Sequence, residues 1–285
     1  MSSMMNIGVS GLSAEATRLA TISNNIANSD TTAYKSQDVL FAESYIVSGG
    51  ETASGNVIQT GSGTTVSSTT TDWSTGAVNT TNSDTDIMIS GSGFLPVALN
   101  GTTYYTRDGN FSLVKTGSST DGSGNTVTTY VMEREDGSVL QGAVDSTDTT
   151  LTGAITFTTT SSSTSSGAIT SITIDADGGV TAEPSSVVIT NSQLVVQNFN
   201  NPDSLKQSEN GLYSPTGETA YATTKPSIPG DDGTGTLTQG ALEESNVDMA
   251  TELTKLISAQ RAYQANSKVI TTADTLMETI MGMIR

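Results

Sequence analysis

The sequence predicts an α+β chain in which paired terminal helices form a coiled coil beside a β-rich central domain. Three observations carry this reading. All six prolines lie between Pro96 and Pro229, so the first 95 and the last 56 residues are free of the strongest helix breaker. Both ends repeat an apolar residue every seven positions. The middle is crowded with Ser and Thr, and with 28 glycines and only 5% aromatics the composition favours short strands and turns over a dense helical core.

At the N-terminus Met5, Leu12, Leu19 and Ile26 recur at intervals of seven, with Val9, Ala16 and Ile22 in the same stripe. This is one narrow apolar seam on a helix over about residues 4–28. Asn28, Ser29, Asp30 and Thr31 end it, because their side chains compete with the helix ladder for backbone hydrogen bonds. At the C-terminus Met249, Leu256, Tyr263, Ile270, Met277 and Ile284 repeat in the same way, joined by Leu253, Ala262, Val269, Ala273, Leu276, Ile280 and Met281. A seven-residue repeat drifts against the 3.6-residue helical turn, and supercoiling against a partner helix relieves the mismatch. Asn246 is expected to cap this helix, with Asp248 and Glu252 near the positive end of its dipole. Periodicity alone leaves open an ordinary helical hairpin that buries its own core.

In the middle, Ile87, Ile89, Phe94, Val97, Leu99, Tyr105, Phe111 and Leu113 read as strand residues, with hairpin turns at Asn100-Gly101 and Asp108-Gly109. A second hairpin is expected from Ile155 and Phe157 to Ile172 and Ile174, with the Ser/Thr tract from Ser161 to Gly167 as its tip. A third pair, Val187 and Ile189 with Leu194 and Val196, brackets Asn191-Ser192. The resulting domain organisation is residues 1–75 as N-terminal helix and extended connector, 76–239 as the β-rich domain, and 240–285 as the C-terminal helix.

Composition excludes most chemistry. The chain lacks both Cys and His, which removes disulfides, thiolate nucleophiles, imidazole bases and His- or Cys-ligated zinc. Its net charge is −18, and residues 46–240 hold 19 acidic against 5 basic side chains. Such a surface repels phosphate backbones and anionic lipid, so neither nucleic acid nor membrane insertion is expected. No apolar run near the N-terminus reads as a secretory signal peptide.

The remaining chemical candidates are weak. Glu133, Glu135 and Asp136 could be paired carboxylates of a polysaccharide-acting β protein, but they precede a Gly and read as a hairpin tip. Asp175-Ala-Asp177-Gly178-Gly179 starts like a calcium loop and lacks the later ligands. Gly91-Ser92-Gly93 lacks the Lys-Ser or Lys-Thr of a phosphate cradle. Thr32 to Lys35 sits in a polar turn rather than a Ser-x-x-Lys arrangement. No catalytic residue, cofactor or metal is assigned, and an adhesin resting on the Ser/Thr-rich strands is the remaining alternative of a different class.

Ile22 to Lys35 reads Ile-Ser-Asn-Asn-Ile-Ala-Asn-Ser-Asp-Thr-Thr-Ala-Tyr-Lys and resembles the N-terminal signature of bacterial flagellar rod and hook proteins, carried here by Asn24, Asn25, Ala27 and Asn28. Further matches follow in the family's order: Asp86 to Phe94, Tyr105 to Phe111, Leu140 to Gly142, Phe199 to Leu205, and Gly211 to Tyr213. The run Gly240 to Asp248, with Ser245, Asn246 and Val247, and the run Gln260 to Lys268 are similar to its C-terminal signature. Ala33 departs from the pattern, standing where members usually have Gly, and Leu95-Pro96 replaces an aromatic after Phe94.

The resemblance implies a structural subunit whose terminal helices line a helical tube with β domains outside. It implies self-association into a homopolymer, contact with adjoining rod, cap and hook–filament junction proteins, and export through the flagellum's own apparatus to an extracellular position. Phe41-Ala-Glu43 and the run Glu243 to Asp248 lean towards the hook, a flexible joint, with the distal rod as the alternative.

Overall fold

The structure is a computed structural model and describes residues 2–44, 46–51, 57–122, 124–144, 149–161, 169–215 and 225–283. The chain divides into two compact units. A helical unit comprises Met1–Asp30, Tyr34–Ser74 and Asn246–Arg285, and a β unit comprises Thr31–Ala33 and Thr75–Ser245.

The helical unit is built on α1 (Ser2–Ala27) and α2 (Met249–Met283), the second being 35 residues long. Among the described residues neither helix is long and apolar enough to cross a membrane. An antiparallel ribbon, Gln37–Glu43 paired with Thr64–Thr71, accompanies them. It lies along α1: Ser10 Oγ accepts a hydrogen bond from the Thr64 amide (3.3 Å), and the Arg18 guanidinium stands 6.0 Å above the Phe41 ring.

In the β unit every strand pairing among the described residues is antiparallel. The main sheet runs in the order Val188–Thr190, Thr156–Ser161, Thr126–Glu133, Val139–Ala143, Leu95–Leu99, Thr102–Thr106, Leu212–Pro215, Leu205–Gln207, and Ser112–Thr120 adds to Thr126–Glu133. Its core is apolar: Ile87, Ile89, Leu95, Val97, Met132, Leu140, Ile155, Phe157, Leu194 and Val196 are all fully buried. Gln239 ties a side ladder to this core, donating to the Asp84 and Ile172 carbonyls at 2.7 Å each and accepting from the Ile174 amide at 3.1 Å.

The turns divide into expected and unexpected ones. Asn100 and Gly101 take φ of 52° and 80°, the paired positive values of a tight hairpin, and join Leu95–Leu99 to Thr102–Thr106 as the sequence suggests. Asp108-Gly109 is not a hairpin turn. A Cβ on Gly109 would lie 1.7 Å from the Ile87 carbonyl oxygen, so this glycine is there to let two backbones meet, and its carbonyl accepts the Ile87 amide at 3.0 Å.

The second and third expected hairpins are also repaired differently. Thr156–Ser161 pairs with Thr126–Glu133 and Val188–Thr190, while Ser171–Ile174 folds onto Val180–Glu183 around Asp177-Gly178. Gln193–Leu194 joins Val139–Ala143 instead of the strand just before it. Alternation identifies strands but not their partners, which are chosen by the shared core. Most of the Ser/Thr tract, residues 162–168, falls outside the described residues.

Four separately read motifs meet in one aromatic cluster. Phe94 packs edge-on against Phe199 and Tyr213 (ring centroids 5.4 and 5.6 Å), and Tyr105 against Phe199 (5.1 Å). Beside it Arg107 is buried 3.4 Å from the Glu243 carboxylate, donates to the Gly91 carbonyl and stands 5.8 Å above the Phe94 ring. Burial lowers the Arg107 pKa and the Glu243 carboxylate opposes that shift. The acidic cluster has a structural occupation: Asp136 holds Arg134 at 3.0 Å, and Asp108 holds it at 2.7 Å.

Candidate functional site: the paired helices and their clasp

α1 and α2 run antiparallel. Gly8 faces Ile270, Gly11 faces Asn266, and Asn25 hydrogen-bonds Glu252. The approach is close, since a Cβ on Gly8 would fall 2.8 Å from Ile270 Cγ1 and one on Gly11 2.7 Å from Asn266 Nδ2. Ala14, Ile22, Ala259 and Ala273 are buried along the same seam. The seam therefore has a second heptad on α2, made of Glu252, Ala259, Asn266 and Ala273. A search for large apolar residues passes over it, although the seven-residue spacing of small and polar residues was there to be read.

The expected apolar heptads divide. Met5, Leu12, Leu19 and Ile26 on α1, and Leu256 and Ile270 on α2, are half-buried. Met249, Tyr263 and Met277 stand 45%, 40% and 42% exposed, and Ile284 lies outside the described residues. With Leu253, Ile257, Val269, Leu276, Ile280, Met281 and Met283 they give α2 a long apolar surface that the chain does not itself cover.

At one end of the pair a polar clasp holds α1, the connector and α2. Asn25 is fully buried. Its Nδ2 donates to the Gln37 carbonyl (2.8 Å) and to Glu252 Oε2 (3.2 Å), and its Oδ1 accepts from the Gln37 amide (3.0 Å) and the Tyr34 hydroxyl (3.1 Å). All four hydrogen-bonding positions of the amide are used. Lys255 donates to Glu252 (2.8 Å) and lies 3.6 Å from Asp38. The hydrogen bond to Glu252 is the main cause of its raised pKa, while burial and then the Glu252 charge raise that of Tyr34.

The other motif residues are placed around this clasp. Asn24 donates to the Tyr34 hydroxyl (3.1 Å), and Asn28 Nδ2 donates to the Asn24 carbonyl (2.9 Å) and closes the helix end. Ala27 is exposed, and Ser245 and Val247 are half-buried. Asn246 does not cap α2. Its Oδ1 accepts the Ser36 amide (2.8 Å) and its Nδ2 donates to the Asp72 carbonyl (2.8 Å), so it pins both ends of the connector. The cap is Asp248, whose carboxylate accepts the Ala250 amide (3.0 Å) and the Thr251 hydroxyl (2.6 Å). Helix initiation moves two residues on because Asn246 is spent on the connector.

Two antiparallel helices with an exposed apolar surface, a clasp that joins them and a separate β unit are the features of a structural subunit. Comparison with known proteins makes this specific. Residues 5–35 match the family model "Flagella basal body rod protein", 88–182 match "Flagellar hook protein FlgE/F/G D1 domain", and 238–283 match "Flagellar basal body rod FlgEFG protein C-terminal". The chain is 33% identical to the flagellar basal-body rod protein FlgG of Bacillus subtilis, covering 98% of this chain and 97% of that one. It is 32% identical to the FlgG of Caulobacter vibrioides over 96% of each. The hook protein FlgE of the latter organism matches at 38%, over 42% of this chain and 20% of its own length. The chain belongs to the flagellar rod and hook protein family, as a structural, non-catalytic component of the flagellum. The lean towards the hook is not upheld, since relatives aligned end to end carry rod names.

Proposed function

We infer that this chain is a subunit of the distal rod of the flagellar basal body. It polymerises through its terminal helices, which act as a coiled coil lining a helical tube, with residues 76–239 outside. The observation that carries this reading is coverage: rod proteins align with the whole chain, and the hook protein with less than half of it. The uncovered apolar surface of α2 supports it, because 35 helical residues with ten large exposed apolar side chains call for neighbours. Met249, Leu253, Ile257, Tyr263, Leu276 and Met277 are the residues on which those neighbours close. The adjoining rod and hook components and the flagellar export apparatus are its other partners.

The test is electron microscopy of basal bodies from cells lacking the gene. Rods that stop short of their distal end, with no hook, are expected. Complete rods lacking only the hook would return the assignment to the hook.

A further inference from the structure

The chain has nine methionines and no cysteine, so thioethers are its only sulfur. They fall into two environments. Met88 and Met132 are 2% and 0% exposed inside the β unit, whereas Met4, Met249, Met277, Met281 and Met283 are 46%, 45%, 42%, 68% and 81% exposed on the helices. The pairing register of α1 and α2, read from Gly8 facing Ile270 and Asn25 facing Glu252, runs out near Thr275 where α1 begins. The last two turns of α2 therefore have no α1 turn opposite them. They carry Leu276, Met277, Ile280, Met281 and Met283, with Met277 and Met281 one helical turn apart on one face.

We propose that these exposed methionines are oxidative modification sites that switch self-assembly off. Peroxide is the oxidant. The thioether sulfur attacks the O–O bond, an S–O bond forms, the O–O bond breaks, and water leaves with two electrons transferred from sulfur. Each sulfoxide replaces a flexible apolar side chain by a polar one that seeks hydrogen bonds, which is incompatible with an apolar contact between copies. Once neighbours cover these side chains the sulfur is shielded, so the free subunit is the sensitive form. Methionine sulfoxide reductases reverse the change. The inference rests on the rod reading for the identity of the covering partner, while the selectivity of oxidation rests on exposure alone.

The experiment treats the purified full-length chain with graded hydrogen peroxide, maps oxidation by peptide mass spectrometry, and measures the concentration at which polymer sediments. Met4, Met249, Met277, Met281 and Met283 are expected to oxidise well before Met88 and Met132. The assembly concentration should rise about tenfold or more, equivalent to about 1.4 kcal/mol per tenfold, and fall back after reductase treatment. A variant carrying Leu at those five positions, shown folded by circular dichroism, should sediment at the same concentration before and after peroxide, whatever its own untreated value is. Oxidised wild-type chain that assembles at the untreated concentration would overturn the proposal, as would indiscriminate oxidation of all methionines. Untreated chain that never assembles would instead overturn the rod reading, and this switch with it.

Discussion

The β unit and the helical unit solve the burial problem differently. In the β unit the core residues from Ile87 to Val196 are shut away from water, and its exposed large apolar side chains among the described residues are four valines, Val78, Val114, Val144 and Val188. In the helical unit α2 alone exposes ten large apolar side chains. Full burial of such a side chain is worth about 1.5–3 kcal/mol, and these ten keep 39–81% of their exposure, so each would release a part of that and together they are a large unused driving force. The β unit is complete as a single chain, and we infer that the helical unit is half of an interface. Its internal seam combines small residues (Gly8, Gly11, Ala14, Ala259 and Ala273) with Ile22, Ile270, Asn25, Asn266 and the buried Glu252, while ten large side chains of α2 stay exposed.

The comparison can be broken in either unit. The largest effect is expected in the β unit. Glu243→Ala takes the carboxylate from the buried Arg107 guanidinium and should cost about 3–5 kcal/mol in urea unfolding. Next comes the clasp, where Asn25→Leu removes four hydrogen bonds, one of them to the buried Glu252. A loss of about 2–4 kcal/mol is expected, seen as faster proteolysis of the connector 34–44. A loss confined to assembly would show that the clasp is dispensable in the single chain.

Ala33 offers a gain. It holds a φ of 56°, a left-handed conformation that costs a residue with a Cβ about 1–2 kcal/mol. Ala33→Gly should recover up to about 1 kcal/mol after the added freedom of the unfolded chain is set against it, read as an upward shift in the denaturation midpoint.

The start of α2 gives a pH signature. Hydrogen bonds from the Thr251 hydroxyl and then the Ala250 amide hold the Asp248 pKa below its ordinary value. A depressed carboxylate contributes its stability above its unfolded pKa and loses it as pH falls through the folded one. Amide exchange at Ala250 and Thr251 should therefore accelerate, relative to its intrinsic rate, once pH drops below the ordinary aspartate range. Asp248→Asn should keep the cap and flatten that dependence. The smallest effect on the free chain is expected from Tyr263→Ser, within about 0.5 kcal/mol because the residue lies at the surface, 40% exposed, although assembly should fail.

Much of this was legible in the sequence. Proline placement and the heptads located α1 and α2 to within a few residues, and alternation around Asn100-Gly101 gave the first hairpin. Strand partners were not legible, because Phe157 and Ile174 alternate equally well whichever neighbour they adopt and only the assembled core decides. The clasp was half legible. Asn25 stood out by its motif, but Glu252 read as a dipole partner near a helix start, when it is 4% exposed and bonded across 227 residues to Asn25. Of the small-residue seam only Ala273 was in the expected stripe, and Gly8, Gly11 and Ala259 escaped because close helix contact was sought in large side chains.

The most direct test of the central claim uses the absence of cysteine. Single cysteines at Leu253, Val269 or Leu276, and a control at Val188, can be labelled with a maleimide in the free chain and after assembly. Labelling of the three α2 sites should slow by about tenfold or more on assembly, a shift of about 1.4 kcal/mol in the opening equilibrium that admits the reagent. Equal labelling rates at those sites in both states would mean that copies do not close over α2, and the account of this chain as half an interface would be wrong.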